Sequence, residues 1–396
     1  MIREFWTKHD RALLRFAVTI MTVAALVWLG YEFWRLWQPG LKGGVDLKLL
    51  HRFTRDWFAG APVYSEEIHA VYPPATYAIM WPLLGWLPLP AALWFFAALS
   101  VLTLAWCIRL VVRECCAEGV LEISLAALIP ASMYATGAAI GNGQFTVPVI
   151  TLLMAGLLLM RPKPQQRPAW VLAVVLILIA LVKPTVAGPF FWILLFVPAS
   201  PRPAVLVASG YVALTLFAAA FQELSFTGLL REMMIRGTLA GTGGGQTGNV
   251  ANLHIGLNEL GLPGWILPVS LVTLLFLGFW VYSHRRVELW LLLGVTAYFT
   301  RVWTYHRWYD DLLILLPMVA FFRIAKARHV ASNADVMAGI LLAATMLFSL
   351  APGGLFLFPA PWNSWYVATQ FVVWLAGLAF LLRMAWIEKR RPDFLN

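Results

Sequence analysis

Charged residues are scarce in this sequence, and cysteine is nearly absent. Asp, Glu, Lys and Arg make up 12% of the 396 residues, whereas soluble domains carry about 25%. A soluble globular enzyme is therefore excluded. The 3 cysteines are too few for a disulfide framework, and no CxxC or Cys/His spacing typical of a metal centre is present. A disulfide-stabilised scaffold and a zinc or redox site are excluded as well.

Apolar residues are abundant instead. They account for 61% of the chain, and runs long enough to cross a bilayer recur from end to end. We predict an all-α, polytopic transmembrane helical bundle that forms one integral membrane domain over residues 1–396. No small-residue cleavage site follows the first run, so we expect an uncleaved span. About twelve crossings are predicted: 12–31, 90–110, 121–139, 144–160, 170–183, 186–199, 204–222, 263–283, 288–302, 308–322, 336–352 and 364–386.

Basic residues predict the orientation of these crossings. Clusters of Lys and Arg near both termini and between the runs obey the positive-inside rule if both termini are cytoplasmic. The net charge of +10 then reflects a multi-pass position in the cell (inner) membrane, with no nucleic-acid partner. Residues 72–87 are an exception, because Pro73, Pro74 and Pro82 interrupt an apolar run. We predict that this segment is re-entrant or a short span.

The first long outer loop, residues 32–71, contains Asp46 followed by an amphipathic repeat. The apolar face of the repeat consists of Leu47, Leu50, Phe53 and Trp57. This spacing predicts a helix, which we expect to lie in the membrane interface and to end at Gly60.

The second long outer loop, residues 222–263, is rich in glycine. Its residues 243–248 match the G-x-G-x-x-G pattern of a nucleotide-binding loop. That pattern needs a preceding strand, and a P-loop needs a Lys-Ser/Thr pair after it, and neither is present. We therefore interpret the run as a mobile loop or a lid over a site.

Further polar residues lie at the outer ends of predicted spans. They are Asn142 and Gln144 at one turn, Lys183 at the tip of a short hairpin, and Arg301, His306 and Arg307 at the end of a later span. An ionisable residue at membrane depth is costly and usually functional. We therefore expect an extracytoplasmic active site.

The three strongest candidates also have purely structural interpretations. Asp46 precedes an amphipathic helix and is equally consistent with an N-cap. His306 lies among aromatic residues of the kind that form interfacial belts. Lys183 follows an apolar stretch, and its long side chain can snorkel to the surface. These alternatives stay open at the level of the sequence.

The residue types on the outer side suit glycosyl transfer. ATP is absent there, so an enzyme needs an activated substrate from the membrane, such as a polyprenyl phosphate sugar. Lys183, Arg301 and Arg307 can hold a leaving phosphate. Asp46 can take the proton of an acceptor hydroxyl.

A set of short motifs resembles glycosyltransferase family 87. They are Gly44-Val45-Asp46, Phe58-Ala59-Gly60-Ala61-Pro62-Val63-Tyr64, Tyr72-Pro73-Pro74, Asn142-Gly143-Gln144-Phe145, Leu181-Val182-Lys183-Pro184 and Tyr305-His306. The family consists of integral membrane enzymes of the GT-C class that resemble polyprenyl-phosphate-mannose-dependent mannosyltransferases of bacterial envelopes. The resemblance implies that Asp46 is the catalytic base. It implies for His306 a role in phosphate binding or in acid/base support.

Two departures from the family pattern bear on the chemistry. Where members often show Asn-Gln-Ser, this chain reads Val250-Ala251-Asn252, which puts substrate contacts of Asn252 in doubt. Asp46 stands alone, without a D-x-D pair, so we expect no metal and no other cofactor. Asp310 and Asp311 are expected to orient sugar hydroxyls or to pair with cations. Tyr72 is expected to border the route of the isoprenoid.

The sequence therefore predicts an inverting hexosyltransferase, with mannose as the first choice of sugar. The donor is a polyprenyl phosphate sugar, and the acceptor is a lipid-linked or envelope glycan. A transporter or lipid flippase is the main rival, although no second copy of the pattern from Asp46 to Pro74 marks a repeated half. An envelope polysaccharide polymerase or ligase is a further alternative, with Arg231 and Arg236 as its candidate arginines.

Overall fold

The computed structural model describes residues 2–66, 70–161, 169–242, 252–327 and 333–390. It is all-helical, with 82% helix and no strands among these residues, which confirms the predicted class. The α-helices are α1 Ile2–Leu36, α2 Val45–Phe58, α3 Val63–Glu66, α4 Pro74–Met80, α5 Leu89–Glu114, α6 Gly119–Ser132, α7 Tyr134–Asn142, α8 Thr146–Leu159, α9 Trp170–Ala180, α10 Pro184–Ala187, α11 Phe191–Phe196, α12 Arg202–Ala219, α13 Phe226–Thr242, α14 Leu253–Glu259, α15 Ile266–Ser283, α16 Leu289–Trp303, α17 Leu315–Lys326, α18 Ala334–Ser349, α19 Gly354–Leu357 and α20 Trp362–Arg390. A π-helix, Trp81–Gly85, follows α4, and a 3₁₀-helix, Trp308–Ile314, precedes α17.

Within the described ranges, five helices are long and apolar enough to cross a membrane, and the count is six if the bent pair α7 and α8 is one span. The five are Arg11–Leu36, Leu89–Glu114, Arg202–Ala219, Pro263–Ser283 and Trp362–Arg390. The predicted count of about twelve is not confirmed. Most of the other predicted crossings coincide with apolar helices of 10–17 residues, shorter than the roughly 20 residues that a hydrocarbon core requires.

The proline-rich segment 72–87 folds into α4 and the π-helix Trp81–Gly85. All seven residues of α4 are buried. Its length of about 10 Å is far below the roughly 30 Å of a hydrocarbon core. Of the two predicted forms, the structure favours a short re-entrant element, in which α4 is enclosed by protein while Trp81, Pro82 and Trp86 are exposed.

The amphipathic helix of the first outer loop is present as α2. Leu47, Leu50, Phe53 and Trp57 are all buried, as their spacing predicts. The indole nitrogen of Trp57 donates a hydrogen bond to the carbonyl of Ala218 at 2.8 Å, so the apolar face of α2 rests on the protein. The helix ends at Phe58, and Gly60 follows with a φ of +81°. Its position in the membrane interface stays a prediction.

Two glycine segments join α2 to the end of α7. The amide of Gly44, which has a φ of +60°, donates to the carbonyl of Gly141 at 2.8 Å. Gly143, with a φ of +76°, packs so closely on α2 that an added Cβ would lie 2.5 Å from the Cβ of Leu47. A side chain at either position would be strained or would collide. The start of α2 is therefore held directly against the bend between α7 and α8.

Candidate active site

The predicted site residues lie where helices begin, bend or break. Asp46 is the second residue of α2. Gln144 lies in the bend of 118° between α7 and α8. Lys183 precedes α10, and His306 lies in the extended segment between α16 and the 3₁₀-helix. Three of these breaks meet at one small pocket, which is lined by Asp46, Leu50, Tyr72, Gly143, Gln144, Phe145, Val182 and Lys183. His306 does not line the pocket and is connected to it through Asp310, which contacts both His306 and Lys183.

Asp46 does not cap α2. The capping position belongs to Gly44, and no side chain accepts a hydrogen bond there, so the N-cap alternative is wrong. The carboxyl of Asp46 is half-buried at the pocket. Burial raises its pKa above the ordinary value, although a hydrogen bond from Gln144 and the charges of Arg307 and Lys183 oppose the rise. A carboxylate with a raised pKa is the stronger base.

Lys183 is buried, with 8% of its surface exposed, so it does not snorkel. Its ammonium lies 2.5 Å from Oδ1 of Asp310, 3.2 Å from Oε1 of Gln144 and 3.1 Å from Oγ1 of Thr146. An ammonium has three donors, so each of them has an acceptor. We call Lys183, Gln144, Thr146, Asp310 and His306 the Lys183 cluster.

The side-chain amide of Gln144 connects this cluster to the pocket wall. Its nitrogen donates to the hydroxyl of Tyr309 at 3.1 Å and lies 3.5 Å from the hydroxyl of Tyr72. Tyr72, which the sequence placed beside the isoprenoid route, therefore forms part of the pocket around Asp46.

His306 is completely buried, so it is not part of a lipid-facing aromatic belt. Its Nδ1 lies 3.2 Å from Oδ2 of Asp310, and its Nε2 has no hydrogen-bond partner among the described residues. Burial lowers the pKa of His306, and the hydrogen bond with Asp310 opposes that change. The carboxylate thereby fixes Nδ1 as the nitrogen that donates and leaves Nε2 as the unpaired ring nitrogen.

Arg307 is the cation with the fewest protein partners near Asp46. Its Nε donates to the hydroxyl of Tyr305, and the described residues offer its guanidinium no other side-chain hydrogen bond. The side chain is half-buried, and its charge acts on Asp46. Its remaining donors are therefore free for an anion.

Arg301 does not join this pocket. Its Nε donates to Oδ1 of Asp311, and the hydroxyl of Tyr134 donates to Oδ2 of the same carboxylate. The amide of Gln370 donates to that hydroxyl at 3.1 Å, and the Arg301 guanidinium lies 5.3 Å from the ring centre of Trp374. We call Arg301, Asp311, Tyr134 and Gln370 the Arg301 cluster. Its arginine, expected to bind phosphate, is enclosed by protein instead.

The two asparagines lie outside the lining of the pocket. Asn142 is the last residue of α7 and is half-buried. Asn252 is the N-cap of α14, where its Oδ1 accepts a hydrogen bond from the amide of Ile255 at 2.9 Å. The structure thus gives Asn252 a local structural role. The glycine run 243–248 lies outside the described residues.

Sequence reasoning missed two residues of the Lys183 cluster and its surroundings. Thr146 donates to Oδ1 of Asp310 at 3.0 Å, and the ring centre of Tyr309 lies 4.5 Å from the Lys183 ammonium. Each stands within two positions of a predicted site residue, so their proximity in the chain was a usable signal. Their contacts depend on the bend at Gln144, which no local pattern indicates.

The model of glycosyltransferase family 87 matches residues 70–304, more than half of the chain. Tyr72, Gln144 and Lys183 lie inside the matched range, whereas Asp46 precedes it and His306 follows it by two positions. No curated protein and no solved structure matches the chain.

Proposed function

The chain belongs to glycosyltransferase family 87 and is therefore a membrane glycosyltransferase, and we propose that it transfers a hexose from a polyprenyl phosphate donor to a lipid-linked or envelope glycan acceptor. Mannose is our first choice of sugar, and the extracytoplasmic side of the cell membrane is the proposed location. Membership of an enzyme family removes the basis for the transporter and flippase interpretation. The polymerase or ligase alternative uses the same donor class and stays a variant of the proposal.

One observation carries this proposal. Asp46 and Lys183 line the same pocket, and Arg307, which does not line it, acts on Asp46 through its charge. Transfer from a sugar phosphate needs a base at the acceptor and positive charge at the leaving group. A carboxylate and two cations near one pocket supply both.

The reaction that we propose is a single inverting displacement. Asp46 accepts the proton of an acceptor hydroxyl while that oxygen forms a bond to the anomeric carbon. The bond between the anomeric carbon and the phosphate oxygen breaks, and its electron pair stays on the polyprenyl phosphate. The products are the glycosylated acceptor with inverted configuration, the lipid phosphate and a protonated Asp46. A base with a raised pKa suits this proton transfer.

We assign the leaving phosphate to Arg307 first. The free donors of its guanidinium fit two phosphate oxygens at once. The three donors of Lys183 already have protein acceptors. Lys183 therefore acts on the phosphate through its charge and not through a direct hydrogen bond. This arrangement stabilises charge that develops as the bond to phosphate breaks.

His306 offers Nε2 to the substrate, since Asp310 accepts from Nδ1. In the neutral ring Nε2 carries a lone pair, which can accept a hydrogen bond from a sugar hydroxyl. In the protonated ring it donates to phosphate. The proposed role is therefore support of the donor by one defined nitrogen.

Sugar transfer by membranes that contain the chain tests the proposal. Radiolabelled sugars on a panel of synthetic polyprenyl phosphates are offered, and label is counted in the lipid extract. We expect label with at least one donor and its loss in Asp46→Asn at equal protein abundance. Asp56→Asn, an aspartate farther along α2, is the matched control and should retain transfer. Label that persists in Asp46→Asn, or no label from any donor, would contradict the proposal.

A further inference from the structure

We infer that Lys183 is a positioning residue, which holds the side-chain amide of Gln144 so that its nitrogen faces Asp46. The inference rests on the proposed function only in giving Asp46 the role of base. The alternative role for Lys183 is direct contact with the leaving phosphate. The contacts of its ammonium distinguish the two.

The chemistry of lysine determines which way the amide of Gln144 points. An amide presents an oxygen that accepts and a nitrogen that donates. Lys183 has donors only, so the amide atom at 3.2 Å from its ammonium must be the oxygen. The tyrosine hydroxyls on the other side, from Tyr309 and Tyr72, accept and donate equally well. They leave the choice open, and so does a protonated Asp46, whereas the ammonium fixes the orientation in either protonation state of Asp46.

The ammonium is itself held in place. Asp310 and Thr146, both buried, accept its other two hydrogen bonds at 2.5 and 3.1 Å. The backbone of Gln144 is fixed as well, because its amide donates to the carbonyl of Ala139 at 2.7 Å in the bend after α7. Neither partner can turn away without breaking contacts that the protein interior does not replace.

The orientation of the amide matters for Asp46. With the nitrogen toward the carboxylate, the amide donates to the charged form and favours it. A reversed amide would set an oxygen against the carboxylate and favour the protonated form. The other groups that act on Asp46 are the cations Lys183 and Arg307, the carboxylate Asp310 and the hydroxyls of Tyr72 and Tyr309. Lys183 therefore influences Asp46 twice, through its charge and through the amide.

Titration of Asp46 by infrared difference spectroscopy separates these two influences. The reconstituted full chain is titrated without donor or acceptor, and the Asp46 carboxyl band is identified by its loss in Asp46→Asn. Gln144→Leu should raise the pKa of Asp46 by about 1 to 2, the effect of one hydrogen bond to a charged group. Lys183→Met should raise it as well.

The decisive comparison is Lys183→Met in two backgrounds. If Lys183 acts through the amide, most of its effect on the Asp46 titration disappears once Gln144→Leu is present. An equal effect in both backgrounds would show that only the charge acts and would overturn the inference. Thr146→Val, which removes one of the two contacts that hold the ammonium but leaves its charge and its bond to Gln144, is the comparison variant and should shift the titration much less than Lys183→Met. A shift with Thr146→Val as large as with Lys183→Met would also overturn it.

Lys183→Met leaves the buried Asp310 without its cation, so a folded alternative is needed. The double variant Lys183→Met/Asp310→Asn is therefore compared with Asp310→Asn alone. Both variants have an uncharged side chain at position 310, and the titration of Asp46 again measures the effect of Lys183. The titration uses no substrate, so absent sugar transfer would contradict the proposed function without affecting this result. Equal effects in both backgrounds would contradict the inference while leaving sugar transfer intact.

Discussion

Asp310 and Asp311 are neighbours in the chain, yet they belong to different parts of the molecule. Asp310 pairs with Lys183 in a cluster that borders the pocket of Asp46. Asp311 pairs with Arg301 in a cluster that is closed by Tyr134, Gln370 and the ring of Trp374. Both ion pairs are buried, but of the two clusters only the Lys183 cluster borders the pocket that Asp46 lines.

The 3₁₀-helix explains how Asp310 and Asp311, although adjacent in the chain, belong to different clusters. The two aspartates lie in the 3₁₀-helix Trp308–Ile314, in which successive side chains point about 120° apart. One carboxylate therefore faces α8 and Lys183, while the other faces α16 and Arg301. The two adjacent aspartates are therefore not one functional unit. Each member has to be judged by the cation that it meets.

The largest expected effect is on stability, in the Arg301 cluster. Arg301→Met leaves Asp311 buried without its partner, which should cost about 3–5 kcal/mol of unfolding free energy. Thermal unfolding in detergent measures the loss. The pair Arg301→Met/Asp311→Asn removes both charges and should regain much of that stability, with sugar transfer per folded molecule close to wild type. If Arg301→Met unfolds with the stability of wild type but no longer transfers sugar, Arg301 takes part in the reaction and the structural role is wrong.

The next effect concerns donor binding at Arg307. Arg307→Lys keeps the charge but loses the fork of the guanidinium, so KM for the polyprenyl phosphate sugar should rise about 10- to 100-fold, the equivalent of one charge-assisted hydrogen bond. Steady-state kinetics over a range of donor concentrations measure it. Arg55→Lys, on the exposed face of α2, is the control. An unchanged KM would remove Arg307 from the phosphate site.

A smaller effect is expected in the pH dependence of kcat/KM. Asp46 must be ionised to accept a proton, and its pKa is raised by burial. Activity should therefore fall as the pH drops through a midpoint above the ordinary range of aspartate. Arg307→Met removes a cation that favours the ionised form, so the midpoint should move to higher pH. A midpoint that stays in place would show that another group controls the acid limb.

The smallest effect, no change at all, is predicted for metal removal. In the proposed mechanism positive charge at the leaving phosphate comes from Arg307 and Lys183, and Asp310 and Asp311 are engaged by cations of the chain. Treatment with EDTA followed by a transfer assay should leave the rate unchanged. A loss that Mg²⁺ or Mn²⁺ restores would refute the metal-independent reaction.

Two features of the structure could be predicted from the sequence, the buried face of α2 and the grouping of several site residues. The buried face of α2 follows from the spacing of Leu47, Leu50, Phe53 and Trp57, because a helix repeats every 3.6 residues. The nearness of Lys183 to Asp46 and of Lys183 to His306 through Asp310 agrees with the expectation that these residues share one side of the membrane, which itself stays a prediction. The first expectation depends on the spacing of apolar residues and the second on the distribution of basic residues, and both can be read from the order of residues in the sequence.

The remaining features depend on partners that are distant in the chain. Arg301 and Lys183 look alike in sequence, and only packing shows that one meets Asp311 and the other Asp310. The predicted count of about twelve spans is not confirmed for a related reason, since hydropathy does not separate a short buried helix from a crossing one. The bend at Gln144, which points its amide at Asp46, has no local signature beyond Gly143.

The most direct test of the account compares one substitution from each side of the site. Sugar transfer from a polyprenyl phosphate donor is measured for wild type, Asp46→Asn and Arg301→Met/Asp311→Asn at equal amounts of folded protein. The account predicts that Asp46→Asn loses at least about 100-fold in rate, as expected for a general base, and that the double variant retains transfer. Transfer that survives in Asp46→Asn but disappears in the double variant would contradict it.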